Sequence, residues 1–351
     1  MAIQDKVIDS REGEELDVGV VDQYMRGRVN GLEGELTIKQ FPAGASNLTY
    51  LLKYDNKAFV LRRPPFGHKA KSAHDMGREH RVMANLKEQF PYVPEMIAYE
   101  TDESILGAEF YVMEKLDGII LRTNMPKGLE LDEQQVRGLC LSFIDKLVDL
   151  HKVDYKAAGL GDLGEAEGYI SRQIEGWYDR YQQAGTDDAP DAEPVLLWMR
   201  KQQPTEVKGC LVHNDYRLDN VVLDHNDPSR ITGVLDWEMS TLGDPLMDLG
   251  VTISYWVEPG DDELIQLVRR QPSNVPGMLS RREFVDYYAE RSGIPIKDFT
   301  FYEVYGYFRL AVALQQMYYR FQQGQTKDER FGLLLPIIEI YINWCKRLIA
   351  E

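Results

Sequence analysis

Cysteine is scarce in this sequence, which contains only Cys140, Cys210 and Cys345 among its 351 residues. These cysteines are far apart and in apolar surroundings, so the pattern excludes a disulfide framework and a zinc site and is typical of buried thiols in a reducing compartment. Apolar runs of membrane-spanning length are also absent, and the N-terminal sequence MAIQDKVIDSREGEELDV has no signal-peptide core. We therefore expect a cytoplasmic protein without a membrane span.

Positive charge is in deficit, with 40 lysines and arginines against 57 acidic residues and a formal net charge of −17. This balance argues against a general nucleic-acid partner or an anionic membrane partner, because both require a basic surface. It does not exclude a small anionic substrate, since a local cluster can override the overall sign. Hydrophobic residues make up 44% and charged residues 28%, which is an ordinary globular composition, and the length allows two lobes.

Hard oxygen ligands surround a predicted hairpin near the middle of the chain. Two short apolar strands, Val221 to Leu223 and Ile231 to Leu235, flank a turn rich in Asp, Asn and Pro. Asn220 stands just before the first strand and Asp236 just after the second, so a hairpin would bring both to the same end. Together with the preceding Asp215, they form a set of ligands that suits Mg²⁺ with substrate phosphates.

The spacing His213-x-Asp215-x-x-x-x-Asn220 matches the kinase catalytic loop, and Asp236 stands where the metal-binding Asp of the DFG element would be. The flanking sequences HNDYRLDN and LDWEMSTLGDPLMDL resemble the aminoglycoside phosphotransferase family, especially the branch whose members occur alone or fused to acyl-CoA dehydrogenases. The resemblance extends from about Leu36 to the C-terminal helices. It implies a protein-kinase-like α+β fold with a small antiparallel β lobe, a larger mainly helical lobe, and the site in the cleft between them.

The resemblance also implies a role for each residue of this motif. Asp215 would accept the proton of the acceptor hydroxyl or orient that hydroxyl, while Asn220 and Asp236 would hold Mg²⁺ on the phosphates of ATP. His213 would organise the loop by hydrogen bonding. Arg217 would contact either the γ-phosphate or an anionic acceptor.

Nucleotide binding is expected to involve the first strands. The loop that contains Gly44 and Ser46 consists of small residues, which allow backbone N–H groups and a hydroxyl to approach the phosphates. In isolation an ordinary hairpin loop is the better interpretation, and the catalytic loop downstream favours phosphate contact. By resemblance, Arg62 replaces the strand lysine that holds the α- and β-phosphates, and Glu79 on the next helix pairs with it. Alternation along the strand places Arg62 and Arg63 on opposite faces, and we favour Arg62 as the phosphate ligand.

The resemblance places a hinge after the strand AEFYVMEK, where backbone groups near Glu114 and Leu116 would hold the adenine. A change to helical periodicity follows, with capping boxes predicted at Asp132 and Ser280. The chain is accordingly divided into an N-terminal extension at 1–34, an N-lobe at 35–116 and a C-lobe at 117–351.

Other conspicuous residues have structural interpretations. Asp244 and Asp248 are expected to cap and buttress the catalytic loop. His151 ends a helix and is expected to bond to the backbone there. Helical aromatic residues such as Tyr169 and Trp177 are expected to be core, although the family's inserted helices line the acceptor site and some aromatics can face substrate.

The acceptor stays open on the sequence alone. The sequences FVLRRPP and LDWEMSTLGDPLMDL resemble the branch associated with acyl-CoA dehydrogenases, and this resemblance implies a hydroxyacyl-CoA as acceptor. An acidic protein also suits a cationic aminoglycoside, and the family includes kinases of choline-like alcohols. A catalytically silent nucleotide-binding regulatory module is a further alternative, supported by the arginine at the lysine position. A set of basic residues is either a site for CoA phosphates or a solvated loop: Arg62, Arg63, His68, Lys69 and Lys71.

Overall fold

The computed structural model of the protein describes residues 5–42, 47–66, 75–326 and 328–350. Its helices are α1 (Val18–Arg26), α2 (Met76–Leu86), α3 (Glu103–Leu106), α4 (Glu133–His151), α5 (Tyr169–Gln183), α6 (Glu193–Lys201), α7 (Pro245–Ser254), α8 (Glu263–Val268), α9 (Arg281–Ser292), α10 (Thr300–Gln322) and α11 (Leu335–Leu348). Its strands are β1 (Thr37–Gln40), β2 (Leu48–Lys53), β3 (Ala58–Arg63), β4 (Met96–Glu100), β5 (Phe110–Glu114), β6 (Cys210–Val212), β7 (Val221–Leu223), β8 (Ile231–Val234) and β9 (Thr241–Gly243).

The chain forms two compact units. The first unit consists of Met1–Ile120 and Asn220–Ser240, and the second consists of Leu121–Asp219 and Thr241–Glu351. By its contacts the β7–β8 hairpin thus belongs with the first unit, although the division predicted from sequence assigned it to the C-lobe. The predicted α+β fold is confirmed, because one unit is built on an antiparallel sheet and the other is mainly helical.

The first unit is organised around an antiparallel sheet with the strand order β1-β2-β3-β5-β4. A tight turn joins β2 to β3, and the N–H of Tyr54 donates to the carbonyl of Lys57 at 2.8 Å. Helix α1 and the strands share one apolar core, to which Tyr24, Met25 and Leu61 contribute buried side chains. The register pairs Arg62 of β3 with Thr49 on one side and with Tyr111 on the other. Arg62 therefore sits on a central strand, where its backbone is fixed by two neighbours.

The N-terminal segment packs on the edge of this sheet. The backbones of Ile8 and Gln40 exchange hydrogen bonds of 2.9 and 2.8 Å. The buried side chain of Gln40 accepts from the N–H of Arg11 at 2.9 Å and donates to Glu14 at 2.6 Å. The segment thus satisfies both the backbone and the side chain of Gln40, at the end of β1.

In the second unit, α10 packs against α7 and α11. The backbones of α7 and α10 meet at two glycines: a Cβ added to Gly250 would lie 2.3 Å from the carbonyl oxygen of Tyr302, and one added to Gly306 would lie 2.2 Å from that of Gly250. Larger residues would force the helices apart. The predicted capping boxes at Asp132 and Ser280 are both present.

The three cysteines are buried and none forms a disulfide. Burial raises the pKa of the Cys140 thiol to about 11, which keeps it protonated and unreactive at neutral pH. Within the described ranges, no helix combines the length and the apolar character needed to cross a bilayer.

Candidate active site

The β7–β8 hairpin brings Asn220 and Asp236 to the same end, as predicted. Val221 pairs with Val234, and the N–H of Leu235 donates to the carbonyl of Asn220 at 2.8 Å. Asp236 follows in the left-handed region with φ 68° and ψ 64°. This conformation is costly for a residue with a side chain, and such strain concentrates at functional sites.

Arg62 links three carboxylates of the first unit. Its Nη1 donates to Oε1 of Glu79 at 2.9 Å, while its Nη2 donates to Oδ1 of Asp236 at 2.9 Å and to Oε2 of Glu238 at 3.0 Å. The predicted ion pair between Arg62 and Glu79 is therefore present. Arg63 has different partners, since its guanidinium bonds to the carbonyls of Pro64 and Leu106. The alternation along β3 thus directs Arg62, and not Arg63, toward the acidic residues.

Negative charge is in excess around Arg62. Glu79 is 1% exposed, and burial raises its pKa to about 7, although Arg62 opposes the shift and the charges of Asp236 and Glu238 add to it. Burial lowers the pKa of Arg62, but the three carboxylates outweigh that effect and keep the guanidinium charged. We call Arg62, Glu79, Asp236 and Glu238 the acidic cluster.

The acidic cluster and Asn220 have the composition that a magnesium–phosphate complex requires. Asp236 offers a carboxylate and Asn220 an amide oxygen from one end of the hairpin. In the part of the chain that the structure describes, no group of three or more His, Cys, Asp or Glu side chains could cage a metal by itself. These residues fit Mg²⁺, which prefers one or two carboxylates with the remaining ligands supplied by phosphates and water.

The catalytic loop of the second unit is held by Asp248. Its carboxylate accepts from the backbone N–H of His213 at 2.8 Å and of Asn214 at 2.7 Å, and it contacts Nε2 of His151 at 3.1 Å. Burial raises the pKa of Asp248, but the hydrogen bond and charge of His151 and the loop amide outweigh burial and lower it. The predicted buttressing role of Asp248 is confirmed. Asp244 caps α7 by accepting from the N–H of Leu246 at 2.8 Å, also as predicted.

The prediction for His151 was wrong. Its ring bonds to side chains, namely the Tyr288 hydroxyl at 2.7 Å through Nδ1 and Asp248 through Nε2, and not to the backbone at its helix end. The position at the end of α4 places the ring between α7 and α9, where two polar side chains are available. His151 thereby fixes the carboxylate that holds the catalytic loop.

Asp215 and Arg217 form an ion pair in the second unit. Nη2 of Arg217 donates to Oδ2 of Asp215 at 2.9 Å, and Nε of Arg217 lies 3.4 Å from Oδ1 of Asp219. The guanidinium also lies 4.9 Å from the ring centroid of Tyr255. His213 is fully buried, and its Nδ1 accepts from the N–H of Asp215 at 3.3 Å. The role of His213 in organising the loop stays a prediction.

The other predicted nucleotide ligands are placed as follows. Gly44 and Ser46 lie outside the described residues, as do the basic residues at 68, 69 and 71. Glu114 ends β5, and its N–H donates to the carbonyl of Glu95 at 2.8 Å. The side chain of Leu116 packs against Gly233 of β8, where an added Cβ would lie 2.2 Å from it. The adenine-binding role of both residues stays a prediction.

Sequence reasoning missed Glu238 and Arg309. Glu238 bonds to Arg62 and accepts from the side chain of Asn47 at 3.3 Å, and its position two residues after Asp236 was the available signal. Arg309 is buried in α10 beside Trp177, with 4.9 Å between its guanidinium and the ring centroid. Its signal was a single arginine within the apolar run YGYFRLAVAL.

Comparison with known proteins gives consistent family and structural matches. The model of the phosphotransferase enzyme family APH matches residues 37–284. Acyl-CoA dehydrogenase family member 10 of Mus musculus is 33% identical, over 88% of this chain and 29% of its own length. Acyl-CoA dehydrogenase family member 11 of Rattus norvegicus is 31% identical, over 94% of this chain and 43% of its own length. The chain thus spans less than half the length of these curated relatives.

A crystal structure supports the same assignment. A putative aminoglycoside phosphotransferase from Ralstonia eutropha JMP134 superposes with a TM-score of 0.77 at 30% identity, covering 94% of this chain and 98% of the other. Both the sequence match and the fold therefore extend across the acidic cluster and the catalytic loop.

Proposed function

The chain belongs to the APH phosphotransferase family, and on this premise we propose that it transfers the γ-phosphate of ATP to a hydroxyl group of a small molecule, a hydroxyacyl-CoA. The observation that carries the proposal is the acidic cluster: Arg62 bridges Glu79 and Asp236, while Asn220 shares the hairpin end with Asp236. Phosphoryl transfer requires mainly positioning and charge neutralisation, and these residues supply both.

Each residue has a defined part in the proposed reaction. Asn220 and Asp236 hold Mg²⁺, which when bound neutralises charge on the nucleotide phosphates. Arg62, held by Glu79, donates to the phosphates that are not transferred. The acceptor oxygen forms a bond to the γ-phosphorus, the bond from that phosphorus to the bridging oxygen of ADP breaks, and the hydroxyl proton passes to the carboxylate of Asp215. Arg217 holds Asp215 in place for this proton transfer.

The choice of acceptor rests on two features. The curated relatives are named as acyl-CoA dehydrogenase family members, which suggests that a kinase of this type handles acyl-CoA compounds. In addition, Asp215 forms an ion pair with Arg217 and interacts with the charge of Arg309, and these two cations favour an acceptor that carries negative charge over a cationic aminoglycoside.

Turnover of Mg-ATP with a panel of hydroxyacyl-CoAs, aminoglycosides and amino alcohols tests the proposal. We expect ADP and a phosphorylated product with at least one hydroxyacyl-CoA, and no product without Mg²⁺. Phosphorylation of aminoglycosides alone would overturn the acceptor assignment. If the protein binds nucleotide but phosphorylates no acceptor, and Asp215→Ala has the same properties, it is a silent nucleotide-binding module.

A further inference from the structure

Arg309 is a buried arginine whose donors are not used within the described part of the protein. The residue is 7% exposed and forms no hydrogen bond or ion pair with another described residue, yet its guanidinium nitrogens are not among the polar atoms that are both shielded from solvent and unpartnered. Its direct contact is the face of Trp177, 4.9 Å from the ring centroid. Arginine is seldom this buried without a hydrogen-bonded partner. The N–H donors of Arg309 are therefore still available to a ligand that reaches the guanidinium from the solvent side.

The surroundings of Arg309 connect it to the predicted catalytic base. Its charge interacts with Asp215 and with the hydroxyl-bearing rings of Tyr169, Tyr255 and Tyr305. Arg217 lies over the ring of the same Tyr255. All these residues belong to the second unit. A guanidinium with unused donors thus lies within electrostatic range of the Asp215 carboxylate and beside aromatic rings.

Arg217 cannot supply the same donors, because it already bonds to Asp215 and lies against Asp219. The rings beside Arg309 are fixed as well: Gln173 accepts from the indole N–H of Trp177 at 3.1 Å and from the hydroxyl of Tyr305 at 3.3 Å. The position of the aromatic groups is therefore set in advance, while the guanidinium retains its capacity to donate. This combination is typical of a ligand site, since a purely structural arginine would use its donors within the protein.

We propose that Arg309 recognises the acceptor by donating to an acyl oxygen, a carbonyl or a carboxylate, that lies a few bonds from the hydroxyl presented to Asp215. Trp177 and Tyr255 then pack against the acyl chain. This inference rests on the proposed phosphotransferase function and assigns one residue to the recognition of its acyl acceptor. The same acyl oxygen occurs in a free hydroxy acid and in its CoA thioester, while a cationic amino alcohol would be repelled by the charge of Arg309.

Three variants test the proposal. Arg309→Met removes the N–H donors and keeps most of the side-chain volume, while Arg309→Lys keeps the charge. Arg320→Met is the matched control, because it changes an exposed arginine of the same helix. We expect Arg309→Met to raise KM for hydroxyacyl-CoA about 10- to 100-fold and to change KM for ATP much less. Arg309→Lys should recover part of the loss, and Arg320→Met should behave like the wild type.

The thermal midpoint without ligands gives a second readout. Arg309→Met should melt close to the wild type, because among the described residues Arg309 makes no hydrogen bond or ion pair that the substitution would remove. A clearly lowered midpoint together with an unchanged acceptor KM would overturn the proposal, since Arg309 would then serve stability alone.

Comparing a free hydroxy acid with its CoA thioester identifies the source of the acyl oxygen. The compound whose KM rises in Arg309→Met is the one that the residue contacts.

Calorimetric titration of a hydroxyacyl-CoA without nucleotide separates this inference from the proposed function. If the wild type turns over no acceptor, the phosphotransfer proposal fails. Weaker binding of the thioester to Arg309→Met than to the wild type and to Arg320→Met would still support recognition by Arg309. Equal affinity of all three proteins would refute it.

Discussion

Arg62 and Asp215 are each surrounded by groups of opposite charge, but the two surroundings differ in composition. Arg62 is one cation shared by Glu79, Asp236 and Glu238. Asp215 interacts with two cations, Arg217 and Arg309, and Arg217 also lies against Asp219. The first set thus has three carboxylates for one arginine, whereas the second has two arginines for two carboxylates.

This difference indicates which ligand each unit requires. Three carboxylates around one arginine favour a further cation, and in the proposed function Mg²⁺ would supply it at Asp236. An arginine whose N–H groups make no bond within the protein can donate to an oxygen of the proposed acceptor. Removing one negative charge should therefore affect metal binding in the first cluster and the reaction of the acceptor in the second.

Asp215→Asn should give the largest effect. The amide cannot accept the hydroxyl proton, so kcat should fall about 10²- to 10⁴-fold while Mg-ATP affinity stays unchanged. Steady-state kinetics with the preferred acceptor, combined with calorimetric titration of Mg-ATP, measure both quantities. Loss of Mg-ATP affinity in this variant would contradict the division of labour between the two clusters.

Asp236→Asn should act on the metal. Asparagine tolerates the left-handed backbone at this position, so the substitution removes the charge without added strain. We expect Mg-ATP affinity to fall about 10- to 100-fold, whereas affinity for ATP measured in EDTA should be unchanged or increased, because less negative charge faces the phosphates.

Glu238→Gln is the matched variant for Asp236→Asn, since it also removes one carboxylate that bonds to Arg62. It should weaken Mg-ATP binding much less, because Glu238 is not one of the proposed metal ligands. Equal losses in the two variants would show that total charge matters and that Asp236 has no specific metal role.

The sequence predicted those parts of the site that depend on local order along the chain. The hairpin places Asn220 beside Asp236 because paired strands return the chain to its start, and period-two alternation separates Arg62 from Arg63. The ion pair of Arg62 with Glu79 joins neighbouring elements of a known motif. Such features follow from spacing and resemblance.

Features that depend on packing between distant helices were not predictable in this way. Arg309 meets Trp177 from α5 and interacts with Tyr255 after α7, and an arginine in an aromatic stripe looks like any helix position before those helices are placed. The side-chain partners of His151 come from α7 and α9 for the same reason.

Glu79→Gln should have the smallest effect and tests the charge balance of the acidic cluster through pH. The folded-state pKa of Glu79 is raised to about 7 by burial, with Arg62 opposing and Asp236 and Glu238 adding to the shift. Between its unfolded pKa and that value, the folded protein retains a proton that the unfolded chain has lost. The free energy of unfolding therefore decreases as pH rises through this window. The contribution of the protonated Glu79 to stability is complete below its unfolded pKa and is lost as pH rises through its folded pKa.

Glu79→Gln has no carboxyl group that can titrate at this position. At each pH, the unfolding free energy of the wild type minus that of the variant therefore isolates the contribution of Glu79. Urea denaturation in EDTA at about pH 5 and about pH 8 should show the wild type losing stability relative to Glu79→Gln by on the order of 1 to 2 kcal/mol. Mg-ATP should reduce this difference, because added positive charge makes the ionised carboxylate less costly. A difference independent of pH would mean that Glu79 is ionised throughout, and that burial beside Asp236 and Glu238 does not raise its pKa.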